Sequence, residues 1–280
     1  MALRPRPLAI VVGYGRVGGA LARALRSAGW QVRVLAHRPS SARRAKQWGW
    51  RKPSAADWLS AKLCFLCVPD ARVAQVAREV GTSLGPKGAL VHLAGALSIR
   101  ALPKNRPGAS FHPLRAISAA QDSLSGAGVA IAARPASLAT QLKRLARQLG
   151  LFPLSPAEGR RALYHAGAVL AAGGVAAVVG AAIEALVEAG VARGDAQRAL
   201  LLLAESALEG VRRRGPAAGL TGPVVRGDTQ TVARHLAALP KDLRDLYRLL
   251  SLRTLDAVPQ LLPAQRRALT RVLRAGGARG

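Results

Sequence analysis

The feature that most restricts this chain is a glycine-rich turn, Gly13-Tyr14-Gly15-Arg16-Val17-Gly18, set between a strand-like run and a helix-like run. Leu8–Val12 is short and wholly apolar. After the turn an amphipathic pattern continues to about Ala28, Gly29 ends it, and Gln31–Ala36 again has strand character. A G-x-G-x-x-G alone is weak evidence. Between a strand and a helix it marks the turn of a βαβ unit. There Gly13 would permit the tight turn, Gly15 would let backbone approach a pyrophosphate, and Gly18 would let helix and strand pack closely. The helix start then offers unpaired N–H groups and a positive dipole end to phosphate.

The end of the second strand discriminates between dinucleotides. An NAD-binding unit usually has Asp or Glu there for the ribose hydroxyls. This chain has His37-Arg38-Pro39-Ser40-Ser41 instead. An acid would repel a 2′-phosphate, whereas the Arg38 guanidinium can pair with one through a charge-assisted fork. The expectation is therefore NADP rather than NAD, with Ser40 or Ser41 adding a hydroxyl. Arg43 and Arg44, one turn later, are explained equally well as a solvated helix face.

Further strands are expected at Leu63–Val68, Ala89–Leu93, Ala109–His112 and Val129–Ala133, with helices at Ala71–Val80 and Pro135–Leu149. Alternation of this kind predicts an α/β domain with a doubly wound, mainly parallel sheet. The pattern changes near Phe152-Pro153, and helices are expected at Asp195–Arg213, Asp228–Leu239, Lys241–Ala257 and Pro263–Ala275. The division is thus a Rossmann domain over residues 1–153 and an all-helical substrate or dimerisation domain over 154–280. Leu163–Ala189 is apolar enough to raise a membrane span, but it is rich in Ala and Gly and carries His165, Glu184 and Glu188. It is read as a buried helix that packs across a homodimer interface. No segment reads as a leader, so the expected location is cytoplasmic, and the tail after Gly276 is expected to be disordered.

Charge adds one constraint. The chain carries 42 basic and 14 acidic residues, net +28. Residues 1–153 hold 24 basic and 4 acidic residues, a balance of +20, so the more positive half is the one expected to hold a phosphate-bearing cofactor. Spread along the chain rather than gathered in a patch, this charge makes a nucleic-acid-associated protein only a third reading. Cys64 and Cys67 lie in a strand-like run and are read as small buried apolar side chains. No second ligand pair accompanies them, so no metal is expected.

Several later segments join the glycine turn: Val68-Pro69-Asp70, His92-Leu93-Ala94-Gly95-Ala96, Phe111-His112-Pro113-Leu114, Tyr164-His165-Ala166, Leu220-Thr221-Gly222-Pro223 and Arg226-Gly227-Asp228. This ordered set, across residues 8–256, resembles a bacterial family with a Rossmann-like domain followed by a helical domain of unknown function. That family is distantly related to pyrroline-5-carboxylate reductase, prephenate dehydrogenase and 6-phosphogluconate dehydrogenase. The resemblance implies a 6-phosphogluconate-dehydrogenase-like architecture. It implies cofactor contact by Gly13, Tyr14, Gly15, Arg16, Val17, Gly18, His37, Arg38, Ser40, Val68, Pro69 and Asp70, with Gly95 near the nicotinamide. It also places Phe111-His112-Pro113 and the Tyr164-His165 helix around a substrate cleft.

Two departures bear on chemistry. Ala94 stands where the family tends to have Ser, and Ala172-Gly173 where it tends to have Ser-Asn. The expected activity is NADP-dependent oxidoreduction of a small-molecule imine, carbonyl, amine or alcohol. Candidates for its proton are His112, His165 and Tyr164, and Thr221 is a candidate substrate contact. The departures keep a second reading open, a non-catalytic NADP-binding sensor or scaffold. Asp228 is read as a helix cap.

Overall fold

The computed structural model describes residues 6–275. The tail expected to be disordered lies outside the described residues. Two compact units form, Met1–Ala172 and Gly173–Gly280.

In the first unit, β1 (Leu8–Val12), α1 (Arg16–Ser27) and β2 (Gln31–Leu35) make the expected βαβ unit. Then come α2 (Pro39–Gln47), α3 (Ala55–Ser60), β3 (Leu63–Leu66), α4 (Val73–Gly81), β4 (Ala89–His92), β5 (Gly108–Leu114), β6 (Gly128–Arg134), α5 (Ala136–Gln148), β7 (Phe152–Leu154) and α6 (Arg161–Val169). The seven strands lie in the order β2-β1-β3-β4-β5-β6-β7, parallel except for the antiparallel β5–β6 pair. The order reverses between β1 and β3, which makes that crevice the topological switch point where such sheets bind ligands.

Local sequence explains these elements. β1, β3 and β4 are buried at every position, as strands covered on both faces must be. The amphipathic α1 buries Leu21 and Leu25, and Gly29 at φ +84° turns the chain into β2. Short α3 starts at a capping box, with the Ser54 hydroxyl accepting from the Asp57 N–H. One side of the sheet is filled by a cluster that includes Phe65 and Phe111, edge-to-face at 6.0 Å. The other is filled by Ile10, Val12, Cys64, Leu66 and Val76 among others.

The structure adds two features to the expected layout. The boundary expected at Phe152-Pro153 falls inside the first unit, because Phe152–Leu154 adds a seventh strand parallel to β6. Three residues are too few to show a period of two, so the strand is silent in the sequence. The long apolar segment is helical from Glu158 to Glu188; its most apolar 18 residues have mean hydropathy 2.1 and are not buried within the chain. By length and composition it could cross a membrane. Its first part nevertheless packs against the sheet, since Arg161 is buried and Tyr164 bonds to His112. The helix is interrupted by a π turn at Leu170–Gly174, where the Ala172-Gly173 departure falls.

The second unit contains α7 (Val175–Glu188), α8 (Arg193–Gly219), α9 (Pro223–Arg226), α10 (Thr229–Ala238), α11 (Lys241–Asp256) and α12 (Pro263–Arg274). Val224, Val232, Leu236, Leu255, Val258, Leu261, Leu269 and Leu273 form its core. Asp228 caps α10, as expected, by accepting from the Thr231 N–H. α8 bends at Gly215-Pro216, where Gly215 has φ +76°. α7 buries no side chain, and α8 exposes Leu201, Leu202, Leu203 and Leu208.

Candidate functional site

A cavity of about 660 Å³ opens at the carboxyl ends of β1, β2 and β3, a volume ordinary for a small-molecule site. Its walls are Gly13–Gly18, His37, Arg38, Ser41, Cys67, Val68, Pro69, Arg72, Val76 and Glu79. The three glycines divide the labour as the sequence implies. Gly13 has φ +98°, and a Cβ there would meet the Cys67 carbonyl at 2.2 Å. At Gly18 a Cβ would meet the Gly13 carbonyl at 2.0 Å, so helix and turn are in direct backbone contact. A Cβ on Gly15 would meet nothing within 4 Å. The turn is therefore closed beneath and open above, a cradle of the kind a pyrophosphate would fill. Gly15 is the N-cap of α1 and offers no side-chain cap, and no acidic residue occupies the first turn, so the helix amides remain free for an anion.

Tyr14 belongs to the cavity wall, with its hydroxyl engaged inside the fold. It is buried, and its hydroxyl accepts from Trp50 Nε1 at 2.9 Å, while the Arg26 guanidinium lies 4.1 Å from the Trp50 ring centroid. This stack anchors the turn from behind.

At the end of β2, Arg38 is the exposed N-cap of α2, and Ser41 rather than Ser40 joins the cavity wall. Ser40 drops out because α2 begins at Pro39, which turns successive side chains about 100° apart on the helix. Asp70 likewise lies outside the wall: it opens a short 3₁₀ turn after Pro69, and Arg72 and Val76 face the cavity in its place. Cys67, Arg72, Val76 and Glu79 were not legible as site residues, because no motif carries them and only the folding of β3 and α4 brings them to the turn. The Cys67 thiol is pushed up to about 12 by burial, so it is a neutral wall and not a nucleophile.

One strand further on, the loop after β4 meets α6. His112 on β5 and Tyr164 on α6 are bonded, Nδ1 to hydroxyl, at 2.8 Å, and the His165 ring lies 5.5 Å from that of His112, centroid to centroid. Gly95 is the floor of this group: a Cβ there would meet His165 Nδ1 at 2.2 Å and His112 Cε1 at 3.0 Å. The two histidines therefore meet over Gly95, and Tyr164 joins them through its bond to His112. Thr221 stands on an exposed turn before α9 in the second unit.

Burial holds His112 and the fully buried His92 neutral, with pKa values lowered to about 4; the Arg161 charge pushes both the same way, and so does His165 on His112. Each histidine would take a proton near pH 6.5 in the unfolded chain and refuses it in the fold until about pH 4. Their contribution to stability is thus complete above pH 6.5 and is lost as pH falls toward 4, on the order of a few kcal/mol in all. Thermal unfolding followed between pH 7.5 and 4.5 should show a falling Tm above the range where carboxylates protonate. A flat profile across that window would contradict the burial of these rings.

A model of a Rossmann-like domain matches residues 2–113, and one described as a domain of unknown function, DUF2520, matches residues 127–254. Sequence comparison with curated proteins gives no match. Among solved structures, the chain is similar to a Bacteroides fragilis protein provisionally named an NADP oxidoreductase. Identity is 22% and the TM-score 0.71, over 89% of this chain and 98% of that one. It is similar to a Thermotoga maritima protein at 21% identity and TM-score 0.69, over 89% and 97%. A third similar structure is 1-pyrroline-5-carboxylate reductase from Streptococcus pyogenes, at 13% identity and TM-score 0.62, over 95% and 98%. These likenesses are likenesses of fold.

Proposed function

Because the chain joins a Rossmann-like domain to a DUF2520 domain, in a fold shared with pyrroline-5-carboxylate reductase, we propose that it is an NADP-dependent oxidoreductase of a small-molecule imine or carbonyl, or of the corresponding amine or alcohol. The observation that carries this reading is the sequence of side chains along the sheet edge. From β2 to β5 the sheet edge presents Arg38, the glycine turn and Val68-Pro69 on the cavity wall, then Gly95 and His112 beyond it. Neighbouring strands lie about 4.8 Å apart, so Arg38 and Gly95 are separated by roughly 14 Å of sheet. Phosphate recognition stands at one end and a proton-bearing pair at the other, which is the order of parts in an extended dinucleotide.

The bound cofactor supplies the hydride. The chain's own residues place the reacting group and move the proton. Neutral His112 donates from Nδ1 to the Tyr164 oxygen, which leaves the Tyr164 O–H free to donate to a substrate oxygen or nitrogen. Helix α6 covers that position and limits the access of water.

Calorimetry with NADP and NAD tests the first half of the reading, and a screen of imines and carbonyls by loss of NADPH absorbance tests the second. Tyr164→Phe should lower turnover about 10²- to 10⁴-fold and leave NADP affinity unchanged. Uptake of neither dinucleotide defeats the proposal. Uptake without turnover of any substrate favours the sensor reading, for which Ala94 and the side-chain-free Gly173 speak. A homodimer forms part of the same proposal, supported by the apolar side chains that α7 and α8 leave exposed. Sedimentation at a monomer's mass across the micromolar range would remove that part alone.

A further inference from the structure

We propose that Arg161, sealed behind the Tyr164 ring, is a positioning residue that readies Tyr164 to release its proton into the cleft. The inference rests on the oxidoreductase reading but can fail independently of it. Arg161 begins α6 and is only 2% exposed. A buried guanidinium is costly unless its charge and donors are matched. Here they are matched poorly. Nη2 donates to the Ala94 carbonyl at a long 3.4 Å, Nη1 stands 3.8 Å from Glu158, and both Nε and Nη1 lack a hydrogen-bond partner. Glu158 is itself half committed, since its Oε1 accepts from the Ile99 N–H at 2.7 Å. The guanidinium is thus paired with Glu158 only at long range and left short of hydrogen bonds inside the fold.

That charge is directed at the candidate proton donor. The Arg161 Cζ lies over the Tyr164 ring, 5.9 Å from its centroid. The groups facing this region are His92 from β4, His112 from β5, Glu158 ahead of α6, and Tyr164 and His165 on α6. Burial raises the Tyr164 phenol above its ordinary range, and Arg161 opposes that rise. His92 and His112, as neutral rings, supply no competing charge. Arg161 is therefore the cation that would stabilise a phenolate at Tyr164.

The step balances simply. The Tyr164 O–H bond breaks toward the substrate oxygen or nitrogen, where a new O–H or N–H bond forms. The electron pair stays on the phenolate, facing the His112 N–H and the Arg161 charge. A reduced nicotinamide supplies the hydride, and solvent later restores the proton.

The test needs neither substrate nor cofactor. The chain has three tyrosines, so ¹³C-tyrosine NMR of the full-length protein can follow Tyr164, assigned with Tyr164→Phe. In Arg161→Gln the Tyr164 midpoint should rise by about one pH unit or more, and the His112 midpoint should rise with it. In Arg161→Lys, which keeps the charge, both should stay close to wild type. An unmoved Tyr164 midpoint in folded Arg161→Gln overturns the proposal, and so does a shift of equal size in Arg161→Lys. Should Arg161→Gln not fold, Glu158→Gln takes its place. Freed of its counter-charge, the guanidinium should lower the Tyr164 midpoint, and a midpoint that rises or stays overturns the proposal. Failure to bind NADP, read separately by calorimetry, would defeat the oxidoreductase reading without touching these titrations.

Discussion

Gly15→Val is expected to leave the protein folded and to abolish detectable binding of either dinucleotide. Gly15 has φ −90° and ψ −162°, an extended conformation open to any residue, and nothing lies within 4 Å of its missing Cβ. The branched side chain therefore costs the folded protein little, within about 0.5 kcal/mol. It instead fills the space through which a pyrophosphate would reach the α1 amides. Two lost hydrogen bonds to a charged group amount to roughly 3–6 kcal/mol, a hundredfold or more in affinity. Paired measurements of Tm and of NADP affinity check this. Wild-type affinity in Gly15→Val would mean that the phosphates lie elsewhere. Gly13 offers the contrast, since φ +98° and the Cys67 carbonyl make any substitution there a folding defect first.

Arg38→Asp should reverse cofactor preference. Arg38 lines the cavity at the end of β2, where a 2′-phosphate would sit. Exchanging guanidinium for carboxylate removes a charge-assisted pair and adds repulsion between like charges, together about 3–4 kcal/mol near a surface. NADP affinity should fall roughly 10²- to 10³-fold, while NAD affinity holds or improves as the new acid takes the ribose hydroxyls. Added salt should narrow the wild-type preference, because the pair is exposed and screened. Equal losses for NADP and NAD would show that Arg38 does not read the phosphate. In that case Arg72, on the same cavity wall, becomes the guanidinium to substitute.

How far the site could be read in advance depended on how locally each part is encoded. The glycine turn, its strand and its helix are neighbours in the chain, and hydrophobic period and glycine spacing carry them. His112, His165 and Tyr164 were legible as chemical types next to recognisable segments. Their mutual 2.8 Å and 5.5 Å distances were not, because β5 and α6 lie about fifty residues apart in sequence. Arg161 was invisible as a site residue: in Gly159-Arg160-Arg161 it reads as surface charge, and only the docking of α6 on the sheet buries it. Tyr14 was read as a contact; it lies on the cavity wall and also anchors the turn, through a partner, Trp50, that comes from beyond β2.

Residue order along the chain was enough to specify the βαβ unit, the alternation of elements, the helical C-terminal part and the lack of an acid at the end of β2. Each of these depends on the conformational preferences and spacing of residues close along the chain. Folding in three dimensions was needed for the seventh strand, the choice of Ser41 over Ser40, the cavity walls and the union of His112, Tyr164 and Arg161. Those features arise from backbone pairing and burial between distant segments, and such contacts leave no periodic trace in the order of residues.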